Sequence, residues 1–413
     1  MRILSGREAA SMVERIAARV SDLTKVEPQV RRIVNDLRRG GDRALRKYAQ
    51  RWDGLPANQP LLVSAREIGE AWKSLTPPLR KALRQAAANI RRFCEWQRPK
   101  AWTQTHDGIS LGQLVQPLES VGCYVPGGRH PLVSTLLMTV IPAQVAGVKN
   151  IRVASPNPSP ELLGAAGMLG VREFYRVGGA QAIAALAYGT ESIPRVDKIV
   201  GPGSAYVTIA KKLVSFDCAI DFLAGPTEAV MLSDSGNPDF IAADLVSQAE
   251  HDPDTLAIFI TTKGKLARSV ALSVERTAQG NATASTSLCS RGAILVAASR
   301  AQARDWANHI APEHITVSRK DVRFIRNAGS VFVGDYSAQA AGDYAAGPNH
   351  VLPTAGQARF RGGLSVHDFV KLITVQELST AGLHGIAKTV MTLAEAEGLH
   401  AHAASIHVRC GNA

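Results

Sequence analysis

Apolar positions recur with a helical period over the first hundred residues. Met12, Val13, Ile16 and Val20 fall on one face, and Leu79, Leu83, Ala86, Ile90 and Phe93 on another. Arg80, Arg84, Arg91 and Arg92 take the polar side of the second segment. Ser5 followed by Glu8 predicts a capping box at the first helix. Charged helical sequence continues to about Gln97, broken by a loop from Asp53 to Gln59.

The pattern changes near Gly122. Short apolar runs then alternate with glycine turns and helices. Ser120 to Tyr124 reads as a strand, Tyr124 to Gly128 as a turn, Leu132 to Gly147 as a helix and Ile151 to Ala154 as a strand. Phe174 to Val177 leads through Gly178-Gly179 into a helix near Gln181, and Ile199-Val200 leads through Gly201-Pro202-Gly203 into another. Repeated strand–glycine–helix units predict a parallel, doubly wound sheet. Such glycines bring backbone N–H groups to a ligand at a helix N-terminus, where phosphate is favoured. None of them forms G-x-G-x-x-G, so purely structural turns remain open. A second α/β region follows, with strands at Ala229–Leu232, Leu256–Thr261, Ala293–Val296 and Ser330–Val333. A helix from Asn237 to His251 has Asn237 at its N-cap and Pro238 at its first position. From Asp368 the pattern predicts helix again, then a strand-like run at Ile406 to Val408.

The length of 413 residues predicts two to four domains. With 46% hydrophobic and 20% charged residues, the chain is neither disordered nor fibrous. The longest apolar stretch, Leu132 to Val148, is interrupted by Pro142 and Gln144 and is too short to span a membrane. Arg7, Glu8, Glu14 and Arg15 rule against a secretory leader. The five cysteines, Cys94, Cys123, Cys218, Cys289 and Cys410, are scattered and odd in number, which predicts reduced thiols in a cytoplasmic protein. The net charge of +12 raises nucleic-acid binding, but the arginines are spread over helices and only 5% of residues are aromatic. No nucleic-acid or membrane partner is expected; the charge serves to attract an anionic cofactor.

Four clusters carry candidate chemistry. Gln248 and His251 lie three apart at a helix end, so both can point at one atom, though a lone histidine there also serves as a cap. Glu313 and His314 follow a helix and offer a general base and acid. Adjacent residues in an extended loop point to different sides, which predicts two separate proton transfers rather than one dyad. Ala341 to Gly356 is rich in glycine and proline yet holds Asp343, Asn349 and His350, as functional loops do. Near the C-terminus stand Glu397, His400 and His402, with both histidines on one side if the chain is extended. One glutamine, two histidines and one aspartate, without thiolate, fit zinc better than copper or an iron–sulfur cluster.

In order, the chain holds YVPGG, VGGAQAIAALAYGT, GPGSAYV, AGPTE, NPDFIAADLVSQAEH, APEH, AGDYAAGPNHVLPT, TVQEL and EGLHAH. Together these resemble the histidinol dehydrogenase family from about Ser120 to Arg409, the N-terminal hundred residues matching more loosely. The resemblance implies zinc- and NAD-dependent oxidation of L-histidinol to L-histidine by two hydride transfers. It implies one Zn2+ per subunit, held by Gln248, His251, Asp343 and His402, with Glu313 activating water and His314 moving protons. The metal ligands and His314, together with Thr227, His350 and Glu397, would contact substrate. Tyr124, Gln181 and Ser204 would contact NAD.

The implied assembly is a homodimer with shared active sites, His402 and Glu397 acting across the interface. The expected architecture is two incomplete Rossmann-like domains with helical extensions. An N-terminal extension covers 1–22, a discontinuous α/β domain 23–121 and 228–366, a cofactor domain 122–227, and a C-terminal extension 367–413. The family usually has Asn at Ser204, Ser at Thr227 and Thr at Pro348; the first change bears on cofactor affinity. A paralogue for another small polar alcohol, such as sulfopropanediol, would keep the metal set and APEH. A carboxylate at Glu397 favours a cationic amino alcohol over a sulfonate. A zinc hydrolase would not need the strand–glycine–helix units, and an inactive homologue would not need an intact Glu313-His314 pair.

Overall fold

The computed structural model describes residues 1–19, 24–127 and 132–411. Val20 and Gly128, named above, lie outside the described residues. The apolar runs after Gly122 fold into two parallel sheets. The first has five strands in the order Glu173–Tyr175, Asn150–Ala154, Ser120–Tyr124, Lys198–Val200 and Ala219–Ile220. All its pairings are parallel. Ser120–Tyr124 comes first in the chain and lies in the middle, so the winding reverses there, as in doubly wound folds. The strand expected to reach Val177 stops at Tyr175, because Gly179 turns the chain at φ +59.

The second sheet has six parallel strands in the order Arg2–Ser5, Ala293–Val296, Leu256–Thr261, Glu228–Leu232, His314–Val317 and Ser330–Val333. Three of these coincide with the expected bounds; Leu256–Thr261 and Ala293–Val296 are covered on both faces and so read as unbroken apolar runs. Arg2–Ser5 was not foreseen; it pairs Arg2 with Ala293 at the sheet edge. The expected capping box is also not formed. Ser5 precedes helix Gly6–Ala17, but its side chain makes no capping bond.

Packing distributes the N-terminal helices between the two sheets. Helix Gly6–Ala17 buries Ala9, Met12, Val13 and Ile16 against Val230, Ile258 and Leu295 of the six-stranded sheet. Helices Glu27–Trp52, Ala65–Ser74 and Pro77–Gln97 cover the five-stranded sheet instead. Val30, Ile33 and Leu45 share one core with Ile183 and Ile199, and Ile68, Leu83 and Ile90 share another with Val121 and Ile141. Helical periodicity shows which face of a helix is apolar, not which sheet it meets.

The C-terminal expectation is reversed. Val370–Leu378 is a strand, antiparallel to Ile109–Pro117, which pairs in turn with Trp102–His106. Helices Thr380–Ala396 and His400–Cys410 follow, so Ile406 to Val408 is helical. His400 and His402, two apart on a helix, do not share a face. Trp102, Leu111, Leu114, Leu372, Ile373, Val375 and Leu378 stand exposed on this antiparallel sheet. Among the described residues no helix is long and apolar enough to cross a membrane. All five cysteines are unpaired, with Cys94, Cys123 and Cys218 buried.

A buried ion pair fixes the Gly201-Pro202-Gly203 turn. Lys211 and Asp221 are ion-paired, their side chains 2% and 1% exposed. Lys211 Nζ donates to the Gly201 carbonyl at 2.9 Å, and Asp221 Oδ2 accepts from the Gly201 N–H at 2.8 Å. Lys211→Met leaves a buried carboxylate uncompensated. It is expected to cost about 3–5 kcal/mol in denaturant unfolding; a loss below about 1 kcal/mol in the same assay counts against the clamp.

Candidate active site

Helix Arg300–Ile310 ends at Ala311, whose φ of 51 is left-handed, and Pro312 prevents the helix from continuing. Glu313 and His314 are thereby set at the N-terminal end of strand His314–Val317. Both are buried, at 7% and 3% exposure, rather than in a solvated loop. They do not diverge as expected of adjacent loop residues. His314 Nδ1 lies 3.7 Å from Glu313 Oε2 and has no hydrogen-bond partner among the described residues. The gap is too long for a hydrogen bond.

Glu313 Oε2 accepts from the Glu228 backbone N–H at 3.0 Å. Burial pushes its carboxyl up to about 8, while the His314 ring and the Glu228 N–H oppose the rise. Burial alone would lower the His314 imidazole; the Glu313 and Asp343 carboxylates outweigh it and hold the ring above its ordinary value.

The other expected ligands come from helix ends. Gln248 lies in the last turn of helix Pro238–Ala249, capped by Asn237 as expected. Asp343 lies on the short helix Gln339–Tyr344. Gln248 Nε2 donates to Asp343 Oδ2 at 2.8 Å, and His314 Nε2 meets Asp343 Oδ1 at 3.2 Å. The Asp343 helix approaches this closely through Gly342, where a Cβ would lie 2.6 Å from the Phe332 ring beside His314. Burial raises the Asp343 carboxyl, but the His314 hydrogen bond and charge prevail and lower it.

His350 has both ring nitrogens engaged, Nδ1 on the Asp343 carbonyl at 2.7 Å and Nε2 on Thr135 Oγ1 at 3.1 Å. Burial lowers its pKa. Asn349 Nδ2 donates to the Met138 carbonyl at 2.6 Å, so this loop joins the six-stranded sheet's side to helix Val133–Ala146 of the other. Thr227 directly precedes strand Glu228–Leu232 and is partly exposed.

His251 sits just beyond the Gln248 helix, exposed. Glu397 and His402 are exposed on the C-terminal helices, with no side-chain bond to this site among the described residues. Nor do three His, Cys, Asp or Glu side chains converge on one point among those residues. Gln248, Asp343, His314 and His350 are thus brought together, while Glu397 and His402 are not.

The expected cofactor contacts gather at the C-terminal edge of the five-stranded sheet. Tyr124 ends the central strand, and its hydroxyl accepts the Gly179 N–H at 3.0 Å. Burial pushes this phenol up to about 12. Gln181 Nε2 and the Gly178 N–H both donate to Asp53 Oδ2, at 3.1 and 3.0 Å. Asp53 is a residue that sequence reasoning missed, placing it in a loop break. Burial raises its carboxyl despite these donors. Ser204 is the exposed N-cap of helix Ala205–Val214 and makes no side-chain capping bond. Gly201, at φ +115, brings that turn against Tyr124; a Cβ there would lie 2.1 Å from the Tyr124 carbonyl oxygen.

The histidinol dehydrogenase family profile matches residues 16–410. A histidinol dehydrogenase from Methanothermobacter thermautotrophicus is 45% identical over 98% of this chain and 97% of its own. One from Syntrophotalea carbinolica is 46% identical over 93% of this chain and 92% of its own. The crystal structure of histidinol dehydrogenase from Elizabethkingia anophelis superposes with a TM-score of 0.93 at 35% identity, covering 99% of this chain and 98% of that one.

Proposed function

The chain belongs to the histidinol dehydrogenase family, whose enzymes perform the last step of histidine synthesis; from that premise we propose a zinc- and NAD-dependent, two-step oxidation of L-histidinol through L-histidinal to L-histidine. One observation carries the mechanism. Two buried groups that can take protons face each other across 3.7 Å, and His314 Nδ1, the facing ring nitrogen, lacks a partner among the described residues. A substrate hydroxyl or a water fits that role.

The donor set suits a divalent ion. Gln248 and Asp343 already meet, His251 follows on the same segment, and His402 of the partner subunit would complete the set. When bound, the ion anchors the substrate's amine and imidazole nitrogens, and NAD supplies the hydride acceptor. His314 takes the proton of the alcohol as the carbon is oxidised. Asp343, on its Nε2, holds the ring in place. Glu313 then takes a proton from the water that adds to the aldehyde, giving the hydrate that is oxidised to the acid. Tyr124, Gln181 and Ser204 line the cofactor side. Thr227 and His350, with Glu397 of the partner subunit, orient the substrate.

A second copy of the chain is supported by the apolar residues exposed on both faces of the antiparallel sheet, which a homodimer would cover. The unpaired cysteines accord with a reducing, cytoplasmic compartment.

The test is the yield of NADH from L-histidinol. Two per substrate, with L-histidine as product, is expected. One per substrate would leave a simple alcohol dehydrogenase.

The pH dependence follows from the sign of the shift. Glu313 acts as a base only when ionised, and burial holds it near 8. The rate of acid formation is therefore expected to climb as pH passes through about 8 and then level off. Stability moves the other way. A carboxyl raised from 4.5 to about 8 by folding favours the fold below 4.5, and that contribution is lost as pH rises toward 8. Melting curves of the wild type against Glu313→Gln are expected to diverge across that window, the variant gaining. Parallel curves would show that Glu313 keeps its ordinary pKa.

A further inference from the structure

We propose that Arg19 is a positioning residue for the carboxylate of Glu313, an inference that rests on the water-activating role given above. Arg19 follows helix Gly6–Ala17, and its guanidinium grips four points. Nε and Nη2 both bond the Glu228 carboxylate, Nε at 2.6 Å. Nη1 donates to the Ile16 carbonyl at 2.7 Å and to the Ile310 carbonyl at 2.9 Å. Glu228 Oε1 also accepts from the Ala355 N–H at 2.8 Å. The backbone N–H of this same Glu228 holds Glu313 Oε2 at 3.0 Å.

One planar side chain therefore fixes two segments of the site directly and a third through Glu228. These are the start of strand Glu228–Leu232, the last residue of the helix that delivers Glu313, and the loop that carries His350. The pair is largely enclosed, the Arg19 and Glu228 side chains being 19% and 5% exposed. A forked, two-point grip on a carboxylate belongs to arginine; lysine keeps the charge but gives a single point. With lysine, Glu228 and its N–H lose their fixed orientation, and Glu313 loses its aim. A misplacement of about 1 Å in a catalytic group costs on the order of 100-fold in rate.

The test is a double-mutant cycle on the full-length enzyme, with NAD and zinc present. Arg19→Lys, Glu313→Gln and the double variant are compared for oxidation of L-histidinal, for the first hydride transfer from L-histidinol in a single turnover, and for melting temperature. Arg19→Lys is expected to lower kcat for L-histidinal roughly 10- to 100-fold. KM is expected to hold, and the first transfer to stay within about twofold of wild type. In the Glu313→Gln background the same change is expected to cost nothing further, because a group acting through Glu313 has nothing left to aim.

Equal losses in both half-reactions, or the same loss in both backgrounds, would make Arg19 merely structural and overturn the proposal while the reading of Glu313 stands. Full acid formation by Glu313→Gln alone would overturn that reading and the proposal with it. Should Arg19→Lys melt below the assay temperature, Glu228→Gln, which keeps an acceptor for the Ala355 N–H, closes the same cycle with the same outcomes.

Discussion

Glu313→Gln is expected to slow conversion of L-histidinal to L-histidine by about 10²- to 10⁴-fold, the usual contribution of a positioned general base. The amide keeps the shape of the side chain and an oxygen for the Glu228 N–H, so the site stays assembled. It cannot take a proton from water. In the proposed mechanism the alcohol step uses His314, whose Asp343 contact is untouched, so the first NADH is expected to form and L-histidinal to accumulate. Trapping the aldehyde during turnover reads the result. L-histidine formed at the wild-type rate would remove Glu313 from the chemistry.

The second large effect concerns the arm. Glu313→Gln and His402→Ala homodimers are each expected to be almost inactive as complete dehydrogenases, the latter with its zinc content also lost. Co-expressed with different tags and purified as the hybrid, they are expected to recover about half of the wild-type rate. One site of the hybrid then pairs an intact body with an intact arm, while the other collects both defects. An arm that served its own body would leave one defect in every site, and the hybrid would stay inactive. The exposed position of Glu397 and His402, whose side chains bond no part of the site among the described residues, motivates the experiment.

Much of the fold could be read from the chain. Leu256–Thr261 and Ala293–Val296 are fully or nearly fully buried, so nothing polar interrupts their apolar runs. Val370–Leu378 was misread for the converse reason. Lys371, Thr374, Gln376 and Glu377 break its pattern, and its partner lies some 250 residues earlier in the chain. In the site, Gln248, Asp343, Glu313 and His314 stand in unusual motifs, and the fold joins them. Arg19, Asp53 and Thr135 sit in ordinary helical or loop sequence. Asp53 reaches Gln181 across 128 residues, and no local pattern announces such a contact. Glu228 was in view as the last letter of AGPTE, but its side-chain role emerges only once Arg19 is placed beside it.

The proposed sites lie at opposite edges of their sheets, and this sorts charge. Gln248, Glu313 and His314 are delivered by the carboxyl ends of helices Pro238–Ala249 and Arg300–Ile310, where the aligned peptide dipoles leave a negative pole. Gly179 and Ser204 stand at the amino ends of helices Gly179–Tyr188 and Ala205–Val214, a positive pole. Under the proposed function, main-chain direction would favour a cation, or a protonated amine, at one edge and a pyrophosphate at the other. Reactants of opposite sign would then be sorted before any side chain selects among them.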